Sequence, residues 1–174
     1  MAFLRVGVVL GGFWAFQIFL LNGVPAASAI LDPLLMLIVF FGLHSSSTRY
    51  LWIRTALIGF LKDLSTGGYF GAAACSFALV GWVLGAGHHL VEREDPVIQG
   101  VWVGLMVGLN MVFHGLLIML ADSVVGWNRW WITAVPIAMI AHGVGAVWFF
   151  PFLRRFLKMQ GRPFGIRRAS FSAL

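Results

Sequence analysis

The sixteen residues GFLKDLSTGGYFGAAA, at positions 59–74, interrupt a chain that is otherwise almost entirely apolar. They place the charged residues Lys62 and Asp63 just before a Ser-Thr-Gly-Gly break. Because charge is costly at membrane depth, such a break marks a turn at the interface, a buried partner or a site. The pattern predicts an outer-face turn between two short helices. Asp63 is expected to cap the second helix or to pair with Lys62 or Arg129, and the functional alternative is that it positions the turn against a periplasmic partner.

The composition of the whole chain indicates a membrane protein. Of 174 residues, 60% are apolar and only 10% are charged, and the mean hydropathy is +0.92. Soluble domains carry about 25% charged residues, so this chain is built for lipid. Half of its twelve Lys and Arg residues lie between Arg154 and Arg168. This placement favours anionic lipid head groups and membrane topology over nucleic-acid binding.

Long apolar runs predict an all-α, multi-pass membrane protein with six spanning helices. A membrane-spanning helix needs ~20 residues, so the second and third runs are marginal alone. The first run could be mistaken for a signal peptide, but its length favours a retained helix. The six runs are Val6–Val24, Ala29–Leu43, Tyr50–Leu64, Tyr69–Ala86, Pro96–Ala121 and Trp130–Phe152.

The distribution of positive charges supports six helices with both chain ends in the cytoplasm. In that topology ten of the twelve Lys and Arg residues face inward, and only Lys62 and Arg129 face outward, as the positive-inside rule expects. A five-helix alternative would place the two ends on opposite sides. The predicted organisation is a membrane domain over residues 1–153 and a basic cytoplasmic tail over residues 154–174.

Two stripes of small residues are candidate helix-docking surfaces. Small residues spaced four apart let another helix backbone approach closely. Each stripe has two open interpretations: packing inside the bundle, or docking of a helix from a partner chain. The stripes are Gly100, Gly104 and Gly108 in the fifth run, and Gly7, Gly11 and Ala15 in the first.

Three polar residues in the fifth and sixth runs form a candidate intramembrane cluster, namely Asn110, His114 and His142. They are expected to form hydrogen bonds between helices. The alternative is a proton relay or ligand site joining His114 to His142, although the sequence places no acidic residue beside them. The chain shows no nucleophile elbow, phosphate loop, paired carboxylates or zinc motif, so we expect neither enzymatic activity nor a cofactor or metal site.

The opening stretch resembles the rod shape-determining protein MreD family of bacterial inner-membrane proteins. The family pattern has a glycine, an aspartate four residues later, a Ser-Gly turn, and then a glycine and a small residue. Thr66 stands at the position of the usual serine, and Lys62 and Tyr69 depart from the usual residues of this pattern. The matching residues are Gly59, Asp63, Thr66, Gly67, Gly71 and Ala74, with Pro33 about thirty residues upstream.

This resemblance implies a non-enzymatic scaffold of the cell-elongation machinery in the bacterial inner membrane. The implied direct partner is MreC. RodA, a class B penicillin-binding protein and the MreB cytoskeleton would be reached directly or through MreC, and the basic tail would contact membrane lipids. The MreD family is also similar to the six-helix substrate-binding component of energy-coupling-factor transporters. The alternative function is therefore a membrane component of a vitamin-type transporter.

Overall fold

The computed structural model describes residues 2–23, 31–44, 49–66, 69–87, 95–122 and 129–157. Within these ranges the chain is all-helical, with six helices and no strand. The presence of six helices is therefore confirmed over this part of the chain, and the number of them that span a membrane stays a prediction. The helices are α1 Ala2–Gly23, α2 Pro33–His44, α3 Leu51–Thr66, α4 Ala72–Gly87, α5 Pro96–Ala121 and α6 Arg129–Leu157.

Two of the helices begin with an Asp-Pro pair, which explains where they start. Proline fits the first position of a helix because its missing N–H would have no helical partner there, and the preceding aspartate accepts the next free N–H groups. Asp95 accepts from the N–H of Val97 at 2.7 Å. Asp32 accepts from the N–H of Leu35 at 3.1 Å. The boundaries predicted for α5 agree with the structure residue for residue.

Two of the helices are long and apolar enough to cross a membrane. Residues Pro96–Ala121 have a mean hydropathy of 2.0, and residues Ile132–Leu157 have a mean hydropathy of 1.7. Shorter apolar helices occupy Val6–Phe19, Pro33–His44 and Ala72–Gly87. At a rise of 1.5 Å per residue, α2 is about 18 Å long. This length is less than the ~30 Å hydrocarbon core of a bilayer.

The short helix α2 forms the centre of the packed core. Leu35, Val39 and Phe40 have no exposed surface, and most of the other residues of α2 are also buried. Gly42 packs against Leu84 of α4 and Leu51 of α3, since a Cβ there would lie 3.0 Å and 3.3 Å from their side chains. The helix is apolar on every face because neighbouring helices surround it.

The neighbouring helices α3 and α4 pack closely through glycines. A Cβ added to Gly59 would lie only 2.7 Å from the Cα of Ala74, and one added to Gly81 would lie 2.9 Å from the Cα of Trp52. Backbone atoms cannot move aside as a flexible side chain can, so glycine is required at both positions. This close approach brings the end of α3 next to the start of α4.

Candidate functional site

The carboxylate of Asp63, near the end of α3, caps the first turn of α4. Its side chain accepts three backbone N–H groups, from Gly71 at 3.0 Å, Ala73 at 3.0 Å and Ala74 at 3.1 Å. The residue is only 5% exposed. Burial of a carboxylate is costly unless charge-assisted hydrogen bonds compensate, and the positive end of a helix dipole provides further compensation. The expectation that Asp63 caps the following helix is confirmed.

The other residues of the motif shape the connection that this cap requires. Gly71 has a φ of +90°, a conformation that side-chain-bearing residues rarely adopt. Gly59 permits the close approach to α4, and Ala74 provides one of the three N–H groups. Thr66 donates its hydroxyl to the carbonyl of Lys62 at 3.1 Å within α3. Gly67 lies outside the described residues, and Pro33 is buried at the start of α2.

Lys62 pairs with Asp32, at the start of α2, through an ion pair between its Nζ and the carboxylate Oδ2. The ammonium also lies 5.2 Å from the centre of the Phe77 ring in α4, a distance that permits a cation–π attraction. The alternative of an ion pair between Lys62 and Asp63 is therefore wrong. The two residues are adjacent in α3, but Asp63 bonds to backbone N–H groups, whereas Lys62 reaches another helix.

His142 joins α6 to the start of α2. Its Nε2 accepts the backbone N–H of Asp32 at 2.8 Å. The other ring nitrogen, Nδ1, lies 2.8 Å from the carbonyl oxygen of Ala138. Because Nε2 accepts a hydrogen bond, the ring hydrogen is on Nδ1, which donates to the carbonyl of Ala138. The ring is therefore neutral in this arrangement. His142 is 3% exposed and has both nitrogens bonded.

The remaining polar residues of the predicted cluster have different partners. Nδ1 of His114 lies 3.5 Å from Oγ of Ser76 in α4, and that hydroxyl also donates to the carbonyl of Ala73 at 3.2 Å. Asn110 is buried, and its Oδ1 has no hydrogen-bond partner among the described residues. His114 therefore contacts α4, whereas His142 bonds to the start of α2. The described residues show no hydrogen bond between His114 and His142.

Another polar contact lies beside the turn between α3 and α4. The hydroxyl of Tyr69 donates to Oδ2 of Asp122, just after α5, at 2.6 Å. This hydrogen bond, together with the negative charge of Asp122, raises the pKa of Tyr69 above its ordinary value of 10.0. The contact connects the segment before α4 to the end of α5.

The polar residues around the turn act mainly as a connector between helices. Asp32, Lys62, Asp63, Ser76 and His142 bring together the start of α2, the end of α3, the start of α4 and the middle of α6. Within the described ranges, no group of three His, Cys, Asp or Glu residues is placed to hold a metal ion. Asp32 interrupts the predicted run Ala29–Leu43 and was not among the predicted site residues. The Asp-Pro cap signal could have identified it as a helix start.

The stripe on α5 is filled by α6. A Cβ at Gly100 would lie 2.7 Å from the carbonyl oxygen of Gly143, and one at Gly104 would lie 2.9 Å from that of Met139. At Gly108 the nearest atom would be Sδ of Met139, at 2.7 Å. The prediction that this stripe docks a partner helix is wrong, because the chain's own last helix occupies it. The alternative, packing inside the bundle, is confirmed.

The stripe on α1 is open. A Cβ added to Gly7 or Gly11 would meet no atom of the described residues within 4 Å, and Ala15 is exposed. Docking of a partner helix on this face of α1 stays a prediction.

Comparisons of the chain with protein-family models, with curated proteins and with solved structures found no match. The likeness to the MreD family therefore depends on the residues of the turn motif and on the layout of the apolar runs.

Proposed function

We propose that this chain is a non-enzymatic scaffold of the bacterial cell-elongation complex, located in the inner membrane. The observation that carries the proposal is the cap formed by Asp63 on α4. The residues on which the family resemblance depends, Gly59, Asp63, Gly71 and Ala74, take complementary parts in this one connection. A motif whose members act together structurally is stronger support for kinship than scattered identities.

The scaffold would cross the membrane six times, with both ends in the cytoplasm. Two helices have the length and hydropathy for spanning, and the shorter helices would depend on their flanking charged residues snorkelling to the interface. Large apolar side chains on the exterior, such as Leu120, Ile140 and Trp148, support contact with lipid. The ten-to-two distribution of basic residues supports the orientation.

MreC is the proposed direct partner, and the α1 stripe is the proposed docking surface. Gly7, Gly11 and Ala15 are exposed, and within the described ranges no atom lies where a Cβ at either glycine would project. The single spanning helix of MreC could therefore approach the backbone of α1 closely. RodA, a class B penicillin-binding protein and MreB would assemble with the scaffold directly or through MreC.

Co-purification from the native membrane tests this proposal. We expect MreC to purify with the wild-type protein, and we expect Gly11→Leu to reduce its recovery. Gly12→Leu is the matched control, because Gly12 is also open but lies on a different face of the same helix. Recovery of a transporter ATPase in place of MreC would contradict the scaffold function and favour the transporter alternative. Equal recovery of MreC with both variants would contradict the docking surface.

Cell shape gives a second test. Deletion of the gene from a rod-shaped host is expected to produce rounded cells, and the wild-type gene is expected to restore the rod. Complementation by the Gly11→Leu gene should be weaker than by the Gly12→Leu gene, at equal amounts of inserted protein. Deletion cells that stay rod-shaped would contradict a role in elongation.

A further inference from the structure

A buried histidine and an ion pair meet where α6 contacts the start of α2. Nε2 of His142 accepts the backbone N–H of Asp32 at 2.8 Å, and the carboxylate of the same aspartate pairs with the ammonium of Lys62 from α3. His142 is 3% exposed. The side chains of Lys62 and Asp32 are 18% and 13% exposed, so the ion pair connects the buried ring to the surface of the bundle.

The bond to α2 requires that Nε2 of His142 carry no hydrogen. A histidine that binds a proton becomes a donor at both ring nitrogens. Nδ1 can continue to donate to the carbonyl of Ala138, 2.8 Å away. Nε2 would then direct an N–H at the backbone N–H of Asp32, and two donors cannot form a hydrogen bond. Protonation of the ring therefore breaks this contact between α6 and α2.

The carboxylate of Asp32 is the acceptor that a protonated ring would meet. It belongs to the residue whose N–H contacts Nε2, and it is only a few bonds from that nitrogen. A buried imidazolium needs an anionic partner, because burial of an unpaired charge is costly. In the structure this carboxylate pairs with Lys62 through Oδ2 and accepts the N–H of Leu35 through Oδ1 at 3.1 Å. A proton on His142 therefore creates a competitor for the carboxylate.

The other aspartates of the described residues have partners of their own. Asp63 accepts three N–H groups at the start of α4. Asp95 accepts two N–H groups at the start of α5, and Asp122 accepts a tyrosine hydroxyl after the end of that helix. The remaining titratable groups of the described helices carry no carboxylate, and they are Arg5, His44, Arg54, Cys75, His114, Arg154 and Arg155. Asp32 is therefore the anion beside the ring.

We propose that His142, Asp32 and Lys62 form a proton-sensitive switch. Nε2 of His142 takes up one proton from water, the Asp32 carboxylate moves from Lys62 to the imidazolium, and the start of α2 shifts on α6. Release of the proton restores the arrangement seen in the structure. Because α2 is the centre of the packed core, its shift would reach the helices around it. The switch uses contacts within the chain and depends neither on the scaffold role nor on MreC.

A distance between two spin labels tests the switch. The labels are attached through Leu31→Cys, next to Asp32, and Trp148→Cys, on the exposed side of α6, in a Cys75→Ser background. The protein in lipid nanodiscs is compared at about pH 8 and about pH 5, on either side of the ordinary histidine pKa of about 6.5. We expect a second distance population at the lower pH. A single unchanged distance would overturn the proposal.

Two histidine variants identify the group that responds. His142→Gln cannot titrate but keeps an acceptor for α2, so the second population should be lost. His44→Gln is the matched control, because His44 also accepts a hydrogen bond at 2.8 Å, from Arg154 at the other end of α2. The second population should persist in that variant. A pH response that persists in His142→Gln, or that His44→Gln alone removes, would contradict the switch.

Asp32→Asn gives an independent test if His142→Gln does not fold. Asparagine keeps the backbone N–H and is an equally good N-cap, but it offers no negative charge to the imidazolium. Protonation would then add a second positive charge beside Lys62, so the population of the second distance at low pH should fall about tenfold or more. An undiminished second population in Asp32→Asn would overturn the proposal.

A second pair of labels separates the switch from general loosening of the fold in acid. Leu120→Cys on α5 and Trp148→Cys on α6 occupy exposed positions and do not involve α2. This pair should keep one distance at both pH values. If its distance distribution changes together with that of the α2 pair, the response belongs to the whole bundle and the switch is disproved.

Discussion

The backbone N–H of Asp32 donates to Nε2 of His142 at 2.8 Å, across 110 residues of sequence. The same separation recurs at the other end of α2, where Nε of Arg154 donates to Nε2 of His44 at 2.8 Å. In both cases the second ring nitrogen lies within hydrogen-bond distance of a carbonyl one turn earlier, that of Ala138 or Phe40. Two neutral imidazoles thus hold α2 parallel to α6 in a single register.

We expect His142→Phe to destabilise the folded protein by about 1–3 kcal/mol, because the buried N–H of Asp32 loses its acceptor. Thermal unfolding in detergent measures the loss. His44→Phe is the matched control, and its effect should be smaller because His44 and Arg154 are only partly buried. An unchanged unfolding temperature for His142→Phe would show that this bond does not contribute to stability.

Asp63→Asn should also destabilise the protein by about 1–3 kcal/mol. The native cap uses both carboxylate oxygens, and an asparagine offers one oxygen acceptor while its amide faces another donor. Asp95→Asn is the control, since Asp95 caps α5 with one oxygen and asparagine is an equally good N-cap. Equal unfolding temperatures for the two variants would contradict the special role of Asp63.

Local signals in the sequence predict the elements well. The Asp-Pro pair and the long apolar run are enough to place α5 at Pro96–Ala121, because helix starts depend on neighbouring residues. The cap by Asp63 could be predicted in the same way, since the N–H groups that donate to its carboxylate lie only eight to eleven residues away. Such features need little knowledge of the tertiary fold.

Contacts between distant residues could not be predicted in the same way. Lys62 pairs with Asp32, thirty residues away, although Asp63 is its neighbour in sequence. The central position of α2 also could not be predicted from the sequence, because a helix that is apolar on every face has no periodicity to show which side packs inward. The α5 stripe indicates that a helix backbone approaches there, but the spacing cannot say whether that helix belongs to the same chain.

The pH titration of Tyr69 should report the contact with Asp122. In a Tyr50→Phe background Tyr69 is the remaining tyrosine, and its phenolate absorbance should appear above the ordinary pKa of 10.0. The Asp122→Asn variant should lower the pKa toward that value. Because the folded-state pKa is raised, the stabilisation is present below the ordinary pKa and is lost as the pH rises through the folded-state value. Identical titrations with and without Asp122 would contradict the contact.

The glycines of α5 should differ in their tolerance of a methyl group, according to what each would meet. Gly100→Ala places its Cβ against the backbone carbonyl of Gly143, so the two helices must separate, at a cost of about 1–3 kcal/mol. Gly108→Ala meets only the flexible side chain of Met139, which can move aside. Its cost is then offset by the ~1 kcal/mol gain in helix propensity.

Gly7→Ala, on the open face of α1, should gain that propensity without any clash. Unfolding in detergent should therefore rank the variants with Gly7→Ala most stable, Gly108→Ala next and Gly100→Ala least. If Gly100→Ala were as stable as Gly7→Ala, the close packing of α5 on α6 would be disproved, and the α5 stripe would again be open to a partner helix.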